Sequence, residues 1–130
     1  MKGLCRLCEQ EAELAESHII PNFVYKWLKE SSVTGHFRFG ETVNRRVQDG
    51  FKTYLLCYDC ENRFGVWENS FAQDIFIPLH EDRIMSTYGS WLLKFCASIS
   101  WRILTYFKGS FDLKHFSENM LKSADDALDI

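Results

Sequence analysis

Two Cys-x-x-Cys pairs, Cys5 with Cys8 and Cys57 with Cys60, constrain this chain more than any other feature. A thiolate pair separated by two residues grips one ion from a tight turn, and two such pairs complete the closed, tetrahedral shell of a structural zinc site. The 48 residues between Cys8 and Cys57 make a long loop for a small zinc fold. Loop-closure cost rises only slowly with length, so the metal can set the geometry. Any fold must therefore bring residue 5 to residue 60. Two unrelated buried pairs, or a redox Cys-x-x-Cys, are the alternatives; thioredoxin-like chemistry needs only one pair, opening a helix in a βαβ unit. The same four thiolates would also accept iron. Cys96 falls on the apolar face of a predicted helix and reads as a small buried hydrophobe.

The compartment bears on this choice. The amino terminus (MKGLCRLCEQEAELAES) is acidic where a signal peptide would be apolar, which points to a cytoplasmic protein. In a reducing compartment, paired cysteines favour metal over disulfides. At 130 residues the chain has the length of one domain, and 46% hydrophobic against 25% charged residues excludes disorder. Fifteen Lys and Arg against 18 Asp and Glu give a net charge of -3. Nucleic acid, if bound, must meet a local basic patch rather than a globally basic surface. The one membrane-length stretch, Ser90 to Lys108, contains Lys94 and Arg102, both costly in hydrocarbon. It reads instead as a core or interface helix with Lys94 and Arg102 reaching water, so no membrane partner is expected.

Along the chain, a metal knuckle at Cys5 and Cys8 is followed by a short turn or strand, and Ser17 to Pro21 is β-like. Pro21 suits the first turn of a helix predicted from Asn22 to Glu30, with Phe23, Val24, Trp27 and Leu28 as its apolar face. Ser31 and Ser32 end it. Gly35 to Phe39 alternates like a short strand. Asp49-Gly50 predicts a type I′ turn joining Thr42–Gln48 to Phe51–Leu56 in a hairpin that delivers the second cysteine pair. From Asp59 to Phe76, the spacing of Phe64, Trp67, Phe71 and Ile75 predicts a helix stopped by Pro78. In Ser90 to Lys108 the predicted buried stripe is Leu92, Phe95, Cys96, Ile99, Ile103 and Tyr106. The remainder, with Asp125, Asp126 and Asp129, is a weak acidic end. Knuckle, hairpin and helix in this order describe an α+β treble clef, with the helix's free N–H groups close to the metal.

Within that frame, Ser17-His18-Ile19-Ile20-Pro21 and Leu56-Cys57-Tyr58-Asp59-Cys60-Glu61, together with Cys5-x-x-Cys8, resemble the zinc-containing HNH endonucleases. The family pattern is Cys-x-x-Cys, then Asp/His-His-Ile-x-Pro, then Leu-Cys-x-x-Cys-His. The motifs cover residues 5 to about 68. Asn44 to Gly50 and Ser100-Trp101-Arg102 are similar to an uncharacterised bacterial HNH-like group. The resemblance implies a single domain, 1–130, with a zinc-bound ββα-metal-type core at 1–76 and a mostly helical extension at 77–130.

It also implies a chemistry. His18 falls on the general base that activates water against a phosphodiester, a role suited to a side chain titrating near neutrality. Glu61 replaces the family's histidine after the last cysteine, and Ser17 stands where the family has a metal ligand. The family's asparagine before the second pair has no counterpart, those positions being Lys52, Thr53 and Tyr54. Glu61 with Glu16 or Asn62 would give a hard ion such as Mg or Mn an oxygen site; a degenerate, inactive site explains the same departures. Taken alone, His18 reads as a histidine near zinc that braces its strand by a hydrogen bond; only its place in Ser-His-Ile-Ile-Pro within the four-cysteine framework brings the catalytic role level with that reading. Arg38, Arg45 and Arg46, with Lys52, form a candidate phosphate-contacting patch or simply a solvated face. The expected function is thus a metal-dependent nuclease, with a noncatalytic zinc module as the alternative. That module would bind nucleic acid, or bind a protein partner or a second copy through the carboxy-terminal helix.

Overall fold

A computed structural model of the chain describes residues 1–36, 38, 40, 44, 46, 50–84, 87–110 and 118–128. The chain divides into two compact units, Met1–Asn62 and Arg63–Ile130. No described helix is long and apolar enough to cross a membrane.

The amino-terminal unit is built on a three-stranded antiparallel sheet in the order β1 (Lys2–Leu4), β2 (Glu11–His18), β3 (Lys52–Cys57). β2 is rich in glutamate, yet its pattern suits a half-buried strand. Glu11, Glu13 and Glu16 face water while Leu14, Ala15 and Ser17 are buried. Gly3 lies opposite Ala12, where a Cβ would come within 2.9 Å of Leu14 Cδ1, so the close approach of β1 favours glycine. Between Leu14↔Cys57 and Glu16↔Tyr54 the chain advances two residues on β2 but three on β3. This bulge suspends the in-out alternation of β3, and Leu55, Leu56 and Cys57 are all buried in succession.

β3 is the strand expected over 51–56, but its described partner is β2. The strand over Gly35–Phe39 and the hairpin arm over Thr42–Gln48 lie largely outside the described residues, as does Asp49. The predicted Asp49-Gly50 turn therefore lies outside the described residues as well. At Gly50 itself a Cβ would run into the ring of Tyr25, so this close approach calls for glycine.

Helix α1 spans Asn22–Ser31 with Pro21 as its N-cap residue. Its last turn closes by Ser32 N–H donating to the Leu28 and Lys29 carbonyls and by Ser31 Oγ donating to Trp27 O. Tyr25 is its buried residue, while Phe23, Val24, Trp27 and Leu28 are half-buried. The face that meets the core is therefore set by Tyr25, near His18 at 5.8 Å between ring centroids.

Helix α2, Tyr58–Phe71, starts directly from β3, and the division between the units falls inside it. Pro78 does not stop it. A π-helical turn over Ala72–Phe76, in which Ile77 N–H donates to Ala72 O, leads into the short helix α3, Ile77–His80. Proline has no N–H to contribute and its ring needs room; near the start of a new helical turn both demands are met.

The carboxy-terminal unit continues with α4 (Ser90–Ser110) and α5 (Glu118–Leu128), which pack against each other. Here the predicted stripe holds in part, with Phe95 buried, and the exposure expected of Arg102 fails. The buried residues of α4 are Phe95, Ser98, Trp101 and Arg102, whereas Leu92, Ile99 and Ile103 are half-buried and Cys96 is exposed. Arg102, expected to reach water, is 1% exposed. Its Nη2 lies 3.0 Å from Glu68 Oε1, and its guanidinium sits 5.3 Å from the centroid of Phe64. An opposite charge and an aromatic face turn this polar side of the helix inward. Phe71 stacks on Phe95 at 4.2 Å, and Trp101 meets Phe64 edge-on at 5.8 Å. Lys94, by contrast, is exposed as predicted, over the Trp67 ring at 5.9 Å.

Candidate metal centre

The first cysteine pair is presented by a knuckle between β1 and β2. Cys5 N–H donates to Gln10 O at 2.9 Å and Glu9 N–H donates to Cys5 O at 3.0 Å. Glu9 completes the reversal with φ of 57°, a left-handed conformation that a non-glycine residue adopts only where the chain must turn sharply. Arg6 N–H donates to Leu55 O at 2.8 Å, fastening the knuckle to the strand that ends in Cys57. Cys60 follows in the first turn of α2.

These constraints bring together the four cysteines singled out by spacing. The Sγ atoms of Cys5, Cys8, Cys57 and Cys60 all lie within 4.8 Å of one another, with Cys8 and Cys57 at 3.9 Å. A tetrahedral ion about 2.3 Å from each sulfur requires sulfurs about 3.8 Å apart. A disulfide would need about 2.05 Å, and all four thiols are free. Cys5, Cys57 and Cys60 are buried and Cys8 half-buried, which closes the site to water on most sides. The set is positioned to hold a metal ion.

Its electrostatics point the same way. Burial works against the Cys5 thiolate, but amide N–H groups of Cys8, Cys57 and Leu7 donate to the sulfur and bring its pKa down to about 6. Burial pushes the Cys60 thiol up, helped by the sulfurs of Cys57, Cys8 and Cys5 around it. The Gln10 amide favours the Cys8 thiolate, but the Cys5 sulfur and burial outweigh it and its pKa also rises. Four sulfurs in one pocket cannot all ionise unless a cation offsets their repulsion.

Around this centre the other predicted residues divide. Ser17 Oγ donates to Glu61 Oε2 at 2.6 Å, so the residue before His18 and the residue after Cys60 are in contact. His18 is half-buried at the end of β2, opposite Lys52 and beside Tyr25. Lys52 Nζ is 3.8 Å from Glu16 Oε2, an ion pair on the solvated side of the ladder. Arg38 and Arg46 are exposed, and Arg45 lies outside the described residues. The Ser17–Glu61 bond and the Arg102–Glu68 pair were not anticipated. The one available signal for the second was an arginine set inside an apolar helix.

Searches against protein-family models, curated proteins and solved structures find no match for this chain.

Proposed function

We propose that the amino-terminal unit is a zinc-stapled treble clef of HNH-like type, directed at nucleic acid and hydrolysing phosphodiester bonds with His18 as general base. The four convergent sulfurs support the zinc staple: an all-thiolate, mostly buried set favours zinc over hard cations. The observation that favours the reaction is the Ser17–Glu61 contact. It joins the two positions that hold the catalytic ion in the resembled family, and His18 is adjacent in the chain. In this reading His18 takes the proton of the attacking water, Glu61 supplies oxygen to Mg or Mn, and Arg38, Arg45 and Arg46 contact phosphates.

The same bond also favours the second reading, a noncatalytic zinc module that binds nucleic acid or a protein, because a buried hydroxyl already engages the Glu61 carboxylate. Cleavage assays separate the two. Under the nuclease reading, plasmid or single-stranded substrate is cut only with Mg or Mn. Activity disappears in His18→Ala while zinc content and nucleic-acid binding persist. Absence of cleavage by the wild-type chain across metals and substrates leaves the binding module.

A further inference from the structure

The cysteine cluster has a buried polar neighbour that plays no part in holding the ion directly. Ser17 is 2% exposed, and a hydroxyl so far from water must find a partner. Ala15 O is 3.4 Å away and Glu61 Oε2 only 2.6 Å, the length of a charge-assisted O–H···O bond. Glu61 directly follows Cys60 in the first turn of α2. Ser17 belongs to β2, the strand against which β3 and its terminal Cys57 are laid. The bond therefore ties the strand that positions Cys57 to the turn that positions Cys60.

Electrostatics gives that tie a purpose. Four thiolates around a divalent ion remain net negative, and a carboxylate one residue from Cys60 is repelled by them. The Ser17 hydroxyl and the positive end of α2 give the Glu61 carboxylate favourable partners and fix it to β2.

We infer that Ser17 and Glu61 are positioning residues for the metal centre: their hydrogen bond presets the bite of Cys57 and Cys60 and slows the departure of the ion. The inference rests on the zinc reading above. Groups just outside a coordination shell orient its ligands, and their loss typically weakens metal binding about 10- to 100-fold.

The test is zinc transfer from the full-length, zinc-loaded chain to the colorimetric chelator 4-(2-pyridylazo)resorcinol. Ser17→Ala and Glu61→Ala should each release zinc about tenfold faster, and the double variant no faster than the quicker single one. Ser17→Thr, which keeps the hydroxyl, should stay near wild type. Glu61→Gln, which keeps an acceptor oxygen at the same reach, should fall between and guards against a Glu61→Ala chain that does not fold. Ser98→Ala, which removes a buried hydroxyl from the carboxy-terminal unit, controls for general loss of stability. Wild-type release rates in the Ser17 and Glu61 variants, additive effects, or equal acceleration by Ser98→Ala would overturn the positioning role. A wild-type chain that holds no zinc overturns both this inference and the zinc reading. A zinc-bound chain whose release is indifferent to Ser17 and Glu61 overturns the inference alone.

Discussion

The two units of this chain solve the same stability problem with different materials. In Met1–Asn62 the buried apolar residues are mainly aliphatic or cysteine, among them Leu14, Ala15, Ile19, Leu55 and Leu56, with Tyr25 as the one large buried ring among the described residues. A unit of that size seldom buries enough apolar surface to hold itself together, and a metal staple is a common remedy. In Arg63–Ile130, Phe64, Phe95 and Trp101 supply large buried rings, and Arg102 with Glu68 forms an ion pair among them. The first unit should depend on an ion, and the second on packing and one buried charge pair. The contrast teaches that cysteines and aromatics are alternative ways of filling a small core, with different points of failure.

The largest effect expected is from metal removal. Chelation, or Cys57→Ser, should abolish hydrogen-exchange protection in β2 and β3 while α4 keeps most of its own, because structural zinc supplies on the order of 10 kcal/mol of folding free energy. Parallel loss of protection in both regions would erase the distinction between the units. Arg102→Ala comes next: it takes the guanidinium away from the buried Oε1 of half-buried Glu68 and should cost about 3–5 kcal/mol by urea denaturation, with zinc content unchanged. Replacing both, Arg102→Met with Glu68→Leu, should recover most of that loss. A single variant that remains as stable as wild type would show that this ion pair does not hold the unit together. The smallest effect belongs to Cys96, which is exposed. Cys96→Ser should shift stability by less than about 0.5 kcal/mol. A maleimide should label the zinc-loaded chain at Cys96 alone, and the other four cysteines only after chelation.

What could be read in advance follows how local each signal is. The two cysteine pairs, the Pro21 start and Ser31–Ser32 end of α1, and the limits of α4 are written in short stretches of sequence, and each matches the structure closely. The partner of β3 was not legible, because pairing with β2 joins residues some 40 positions apart and carries no turn signal of its own. The close approach of the Tyr25 ring to Gly50 is a tertiary contact that sequence alone does not carry. Hydrophobic periodicity placed Phe95 inward but missed Arg102, because it counts apolar residues and cannot see that Glu68, an element away, makes burial of Arg102 favourable. Pro78 reads as a stop in the sequence because a π turn, which accommodates proline inside a helical run, leaves no mark in composition. At the site, the convergence of the four cysteines was legible from spacing alone. The amides donating to Cys5 and the Ser17–Glu61 bond depend on the folded backbone.

The central claim is that residues 5, 8, 57 and 60 together hold one zinc ion. X-ray absorption at the zinc edge on the purified full-length chain tests it most directly. The spectrum should fit one zinc per chain with four sulfur neighbours at about 2.3 Å and no nitrogen or oxygen in the shell. A folded chain without zinc, or a shell in which nitrogen or oxygen replaces any of the four sulfurs, would contradict it.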